Sequence, residues 1–313
     1  MKIITPFKFQ NNKNIKSFIK LGIIFILFFI FISMNALYSN NKKIKVCLCT
    51  VGKMENLYVK EYITHYKNLG YNHIYLYDNN DVNGEKFEDV IKEEIDSNFV
   101  SIINYRGRKE IQCIAYRDCY EKNNKNYDWL SFYDMDEFLE VKPHAKNIQE
   151  FLSNKRYKKC INIKINFLFY SDNELLHYDK RPLQERFTTA LYNHGANRVI
   201  KIMVRGGLYT NYWPEKCTAH SSALDVYSCN SKGQRINHET IFNSPPALKY
   251  ARLKHYYTKS TEEYLIKASR GSATHDIKWN DERKKYKYML YFNYNKKTKE
   301  KEDLLKKLFN MTL

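Results

Sequence analysis

The chain of 313 residues carries 52 lysines and arginines against 34 acidic residues, a formal charge of +18, and only 6 prolines in a composition that is 43% hydrophobic and 15% aromatic. Those figures exclude a disordered chain and a repeat array, and leave one sizeable domain of ordinary core density. The charge points to phosphates of a substrate or to an anionic membrane surface. No zinc finger, RNA-recognition signature or compact basic helix directs it to nucleic acid.

Lys2, Lys8, Lys13, Lys16 and Lys20 lead, without one acid, into a run from Leu21 to Ile32 that has no polar side chain and continues weakly to Leu37. With Phe18 and Ile19 the stretch reaches about the length a bilayer span needs, and Lys20 can snorkel. Positive charge before the run puts the N-terminus in the cytosol and the body across the membrane. The predicted order is a cytosolic leader over 1–20, a single-pass type II anchor over 21–37 and a stem over 38–44. A cleaved signal peptide is the alternative. In a eukaryote the body would face the lumen of the Golgi or endoplasmic reticulum.

Lys45 to Val51 reads as a buried strand and Glu55 to Leu69 as an amphipathic helix stopped by Gly70. His73 to Tyr77 is a second strand, ending in Asp78-Asn-Asn-Asp81. Phe87 to Ile95 follows as a helix, Val100 to Tyr105 as a strand, Ile111 to Tyr120 as a helix and Trp129 to Tyr133 as a fourth strand. Strands alternating with helices predict an α/β fold, a mainly parallel, Rossmann-like sheet with helices on both faces. Ligands of such sheets bind beyond the carboxyl ends of the strands, where Thr50, Asp78, Arg106 and Asp134 fall. Beyond Glu140 the alternation weakens into a mixed second half. Ile161 to Phe169 and Val199 to Val204 are β-type runs, and Ser260-Thr-Glu-Glu introduces a helix containing Tyr264 to Ala268. The main domain is expected over 45–275, with a peripheral basic extension over 276–313.

The fourth strand, apolar and aromatic, runs directly into Asp134-Met-Asp136 followed by Glu137. Carboxylates spaced two apart at the end of a buried strand suit a hard divalent cation that bridges phosphate oxygens. The bland alternative is a strand dissolving into a solvated acidic turn. Seven cysteines form no Cys-x-x-Cys pair and no zinc spacing. Cys217 with Cys229 is the expected disulfide, and Cys47 and Cys49 read as small core residues on one strand face.

Several motifs occur in order: Val46-Cys-Leu-Cys-Thr-Val-Gly-Lys-Met-Glu55, Tyr62-Ile-Thr-His-Tyr-Lys-Asn-Leu-Gly70, Ile74-Tyr-Leu-Tyr-Asp-Asn-Asn80, Gln112-x-x-Ala-Tyr-Arg-Asp-Cys119, Trp129 to Phe138, and Arg252-x-x-His-Tyr-Tyr-x-Lys-Ser260. Each is short, but the ordered set resembles glycosyltransferase family 92, a GT-A-type group, over about residues 45 to 271. The resemblance implies a GT-A nucleotide-sugar transferase fold and transfer of a hexose from a nucleotide-diphosphate sugar with a divalent metal, Mn2+ or Mg2+. It places Thr50 and Val51 under the base and ribose and Asp78 at the nucleoside. Arg108, Gln112, Arg117 and Asp134 join the donor site, with Arg106 and Lys109 assisting on the phosphates; relatives often carry Asn where Arg117 stands. Asp134, Asp136 and His255 are the implied metal ligands. Manganese accepts imidazole together with carboxylate.

Inversion at the anomeric carbon needs a base for the acceptor hydroxyl. Asp172 and Glu174 are the candidates, with Glu185 a third. His220, Phe167, Tyr170, Tyr212 and Trp213 are candidates for lining the acceptor site, although aromatic residues usually pack the core. The acceptor is a carbohydrate or other hydroxyl compound carried on protein, lipid or polysaccharide. Two other readings compete. A metal-dependent phosphohydrolase would need further ligands for a second metal, and a non-catalytic sugar-binding relative would have no need of Asp134 and Asp136.

Overall fold

The computed structural model describes residues 23, 24, 26, 27, 30, 43–141, 143–208, 227–237, 240–270 and 280–309. All but those five positions of the predicted leader, anchor and stem before Lys43 lie outside that set. Among the described residues no helix is long and apolar enough to cross a membrane. Ile44 to Leu313 forms one compact unit, separate from the segment before it.

The parallel half follows the predicted alternation. Strand β1 (Val46–Gly52) leads to helix α1 (Asn56–Leu69), then β2 (His73–Asp78), a short α2 (Lys92–Asp96), β3 (Val100–Asn104), α3 (Gln112–Asn123) and β4 (Trp129–Phe132). The predicted helix over Phe87 to Ile95 is instead a single 3-10 turn at Phe87–Asp89 followed by α2. Strands pair in parallel in the order β3-β2-β1-β4. β1 is apolar at successive positions because both of its faces are covered. Val46 and Leu48 join one core cluster with α1, while Cys47 and Cys49 join a second with α3. Each such fully buried aliphatic side chain contributes about 1.5–3 kcal/mol. Gly70 ends α1 in the left-handed region at φ +96°, and its amide closes onto Lys67 and Tyr66. A β-carbon there would sit 2.6 Å from Gln149 Oε1 as well as in strained backbone.

The second half extends and curls the same sheet instead of forming another. Strand β5 (Glu137–Glu140) and helix α4 (Ile148–Ser153) precede the long buried strand β6 (Asn162–Phe169). Then come α5 (Leu183–Arg186), β7 (Ile200–Arg205), β8 (Ser228–Asn230), β9 (Arg235–Ile236) and β10 (Arg252–His255). β7 is antiparallel to β4 and to β6, β10 is parallel to β6, and β5 closes the path antiparallel to β10. The chain therefore leaves β4 in the middle of the strand order and re-enters at its end as β5 after only Tyr133 to Asp136. That crossing turn is the Asp-x-Asp segment.

The C-terminal helices α6 (Thr261–Ser269), α7 (Asp281–Tyr294) and α8 (Lys299–Phe309) are part of the domain. α7 and α8, which lie within 276–313, pack into that unit rather than forming the peripheral extension expected from their Lys/Tyr-rich sequence. Tyr291 and Lys301 are buried, and both reach Asp172: the Tyr291 hydroxyl donates to its carboxylate and Lys301 Nζ lies 2.7 Å from it. The helices share a small apolar cluster of Tyr264, Ala268, Tyr288, Tyr291, Leu305 and Phe309, and composition misled because few other apolar side chains mark their buried faces. At α6 the expected cap is present in full. Ser260 accepts from the Glu263 amide, and the Glu263 side chain accepts from the Ser260 amide.

Two disulfides lie in the domain, Cys49–Cys119 between β1 and α3 and Cys160–Cys229. The second overturns the expected Cys217–Cys229 pairing, and the first removes Cys49 from the set of plain core residues. Cys217 lies outside the described residues. Pairs drawn from positions 69 and 70 residues apart leave no mark in sequence spacing.

Candidate functional site

The turn between β4 and β5 sets the two aspartates in different environments. Asp134 keeps its side chain 37% exposed, while that of Asp136 is 6% exposed. Asp134 Oδ1 accepts from Gln112 Nε2 at 2.8 Å and from the Tyr116 hydroxyl at 3.1 Å, both on α3. Its Oδ2 takes the Lys201 ammonium of β7 at 2.8 Å. Gln112, expected at the donor, thus orients Asp134. Tyr116, one turn along α3, supplies the second bond.

Asp136 belongs to a different group. The antiparallel register of β5 and β10 sets His255 directly opposite Glu137, and the Tyr256 amide donates to the Asp136 carbonyl at 3.0 Å. As a result Asp136, Glu137 and His255 converge, with one potential ligand atom from each within 4.8 Å of the others and all three residues buried. His255 Nε2 lies 3.4 Å from Asp136 Oδ2. His255 Nδ1 and Glu137 Oε1 are buried without a hydrogen-bond partner. Glu137 Oε1 also lies 3.6 Å from the Lys201 ammonium. One imidazole and two carboxylates converging in a buried site are the donor set a divalent cation such as Mn2+ takes, so the residues fit a metal. Asp134, expected as a ligand, instead faces Lys201 and solvent. Glu137 stands beside Asp136 in sequence, but only the β5–β10 register reveals its place next to His255.

Charges around the turn are arranged in coupled pairs. Burial would raise the Asp136 carboxyl, but Lys267 of α6, which bonds it directly, and His255 hold it well below the usual carboxylate range. Burial pushes Glu137 well above that range, against the opposing pull of Lys201. Burial also lowers His255, which favours the neutral imidazole that a ligand must present. Behind Asp136, Glu55 at the head of α1 is buried between Lys259 at 3.2 Å and Arg270 at 2.6 Å. Burial works to raise Glu55, and those two cations overrule it. Lys201, Lys267 and Arg270 carry no local sequence signature and were missed, and Lys259, although part of the Arg252 to Ser260 motif, was given no role by it.

Other expected residues have different placements. Thr50 is buried at the end of β1, with the Tyr62 hydroxyl 3.5 Å away, and Val51 beside it is half-buried. Asp78 is buried in an ion pair with Arg106 at 2.9 Å, and Arg106 also donates to the carbonyls of Asp81, Gly84 and Glu85. Arg106 therefore braces the loop after β2, a use that competes with a phosphate contact. Arg108 is exposed, with its guanidinium 4.6 Å from the Tyr105 ring, and Arg117 is half-buried on α3.

Asp172 is the clearest departure. Its carboxylate accepts from Tyr291, pairs with Lys301 and accepts from the Glu174 amide at 2.9 Å. A carboxylate so fully engaged is a structural anchor rather than a free base. Glu174 faces solvent in left-handed backbone at φ +62°, 3.5 Å from Lys296. Glu185 is exposed, and Arg186 beside it turns inward to a buried bidentate pair with Glu263. Phe167 and Tyr170 are buried, and the Phe167 ring packs 4.6 Å from His255. His220, Tyr212 and Trp213 lie outside the described residues.

The family model described as glycosyltransferase family 92 matches residues 42–303. A glycosyltransferase family 92 protein of Oryza sativa subsp. japonica is 23% identical over 250 residues, covering 76% of this chain and 37% of that protein. One of Ricinus communis is 25% identical over 111 residues, covering 36% of this chain and 20% of that protein. The chain thus spans well under two thirds of the length of the relatives it matches. Among solved structures, the mannosyltransferase PcManGT from Pyrobaculum calidifontis, in complex with GDP-Man and Mn2+, is similar at 9% identity and a TM-score of 0.36, covering 86% of this chain and 74% of that one. S. aureus TarS 1–349 is similar at 9% identity and a TM-score of 0.33, covering 85% and 71%. Scores of that size carry no inference about chemistry.

Proposed function

The chain belongs to glycosyltransferase family 92, and from that premise we propose that it transfers a hexose from a nucleotide-diphosphate sugar to a carbohydrate or other hydroxyl acceptor, with a divalent metal, Mn2+ or Mg2+. The observation that carries this reading is the buried convergence of Asp136, Glu137 and His255 beside the exposed carboxylate of Asp134. Asp136, Glu137 and His255 would hold the ion, which supplies positive charge against the leaving diphosphate. Asp134, fixed by Gln112, Tyr116 and Lys201, presents its exposed edge to the donor. The Lys201 ammonium beside it is held in its charged form: burial works to lower it, but Asp134 and Glu137 overrule that. For inversion the acceptor needs a carboxylate base, and of the two principal candidates Glu174 is the one open to solvent.

The body acts in an exported compartment behind a type II anchor at 21–37. The two disulfides, which persist in oxidising surroundings, support that placement.

Thermal-shift measurements with UDP and GDP, each with and without Mn2+, test the proposal. One nucleoside diphosphate should stabilise the protein only when metal is present. Asp136→Asn should keep the fold, lose that metal-dependent shift and cut transfer by about 10²-fold or more. Full activity in Asp136→Asn, or the absence of any nucleotide effect, sinks the assignment.

A further inference from the structure

We propose that Lys287 of α7, together with Lys267 and Arg283, forms the anion subsite for the donor's diphosphate, so that the C-terminal helices complete the donor site. This rests on the donor reading above and adds residues that neither the Asp-x-Asp turn nor the parallel half supplies.

The Tyr257 ring, two residues beyond His255, is where these cations gather. Lys267 Nζ lies 4.1 Å from its centroid and Lys287 Nζ 5.9 Å, and Lys287 donates to the Tyr257 hydroxyl at 3.4 Å. Arg283 lies one turn before Lys287 on the same helix. Acidic partners do not match this group in number. Asp136 is shared by Lys267 and His255, and Glu55 by Lys259 and Arg270. Among the described residues no carboxylate pairs with Lys287 or Arg283. Burial pushes the Lys287 ammonium down to about 8, and Arg283, Lys267 and Arg270 add to that.

Cations left half-buried in mutual repulsion cost stability unless an anion neutralises them. The position of Lys287 is also built. Its carbonyl accepts from the Tyr264 hydroxyl of α6 at 2.8 Å, and one turn on, Tyr291 binds Thr261 at 2.8 Å and Asp172. A lysine on a helix braced in this way, and itself half-buried, is not a freely solvated surface charge. Its half-burial and its nearness to Lys267, which bonds Asp136, suit a compact dianion better than a long polyanion. Diphosphate oxygens are such a partner, and lysine binds them as a point charge.

The test is titration of UDP and GDP in the presence of Mn2+ into the wild-type protein, Lys287→Met, Lys287→Arg, Arg283→Gln and the exposed control Lys285→Met. Lys287→Met should weaken the preferred nucleoside diphosphate by about tenfold or more and the corresponding monophosphate far less. Arg283→Gln should show a smaller loss, and Lys287→Arg should retain most of the affinity, which separates charge from folding. Wild-type affinity in a folded Lys287→Met overturns the subsite. If the wild-type protein binds neither nucleoside diphosphate, it is the donor reading that fails. Inorganic pyrophosphate then tests the subsite alone: binding that Lys287→Met abolishes supports it, and no binding overturns it.

Discussion

The parallel half and the C-terminal helices meet at the same turn, yet they are held by different forces. β1 to β4 are fixed by apolar side chains buried on both sheet faces, and their strand ends release Asp134 and Asp136. Helices α6 to α8 share only a small apolar cluster around Tyr264, Tyr291 and Leu305 and are tied down further by polar contacts: Asp172 with Lys301 and Tyr291, Arg186 with Glu263, and Glu55 with Lys259 and Arg270. Apolar burial is tolerant of salt and pH. Buried ion pairs add little net stability, but losing one partner is costly, so they fix position more than they stabilise. The carboxylates thus sit on a scaffold set by burial, and the cations facing them sit on one set by charge pairing.

Asp172→Asn puts the greatest strain on this contrast. It leaves Lys301 buried without its counter-charge, and the expected cost is about 3 kcal/mol, read as a lowered Tm. Turnover should stay within about threefold, while KM for the donor rises because α7 carries Lys287. A general base would instead lose about 10²–10⁴-fold in kcat at unchanged Tm, and that pattern would return Asp172 to the acceptor side.

The parallel half has its own titrating group in His65 on α1. Its Nε2 donates to the Leu139 carbonyl at 2.9 Å and its Nδ1 accepts from Gln184 at 3.4 Å, so the neutral ring satisfies both contacts. Burial lowers it from 6.5 to about 4. As pH falls below about 6.5 the unfolded chain gains a proton that the folded one refuses. Stability is full above that pH and declines toward 4, by up to about 1.4 kcal/mol per pH unit from this group. Denaturation midpoints measured from pH 7 to 4 should fall less steeply in His65→Gln. An unchanged slope would show that the acid sensitivity lies in the ionic helices instead.

Ser260→Ala is the mildest probe, at the joint between the two regions. Losing the α6 cap should cost about 1 kcal/mol, roughly 2 °C in Tm, with no change in metal response. A larger loss would mean that Glu263, freed from the cap, also releases Arg186.

The first four strands were legible because β1 to β4 are short apolar runs punctuated by Gly and polar turns, and the helices between them carry ordinary stop signals. The split of Phe87–Asp89 from α2 was not, since a short apolar run does not distinguish one long helix from two turns. Asp134 and Asp136 stood out as acids at a buried strand end. His255 entered only through the family resemblance. Lys201, Lys267 and Lys287 were invisible: in a chain with 52 basic residues, no single lysine carries a local mark.

By itself the sequence determined the α/β alternation, the capped start of α6 and the placement of two carboxylates at the end of β4. Those features depend on neighbours a few residues apart, where hydrophobic period and turn chemistry act. Tertiary structure decided the rest. It gave Glu137 rather than Asp134 to His255 through the β5–β10 register, spent Asp172 on holding α7 and α8, and set Lys267 against Asp136. Each is a pairing between residues far apart in the chain, settled by which buried charges and strand edges must satisfy one another.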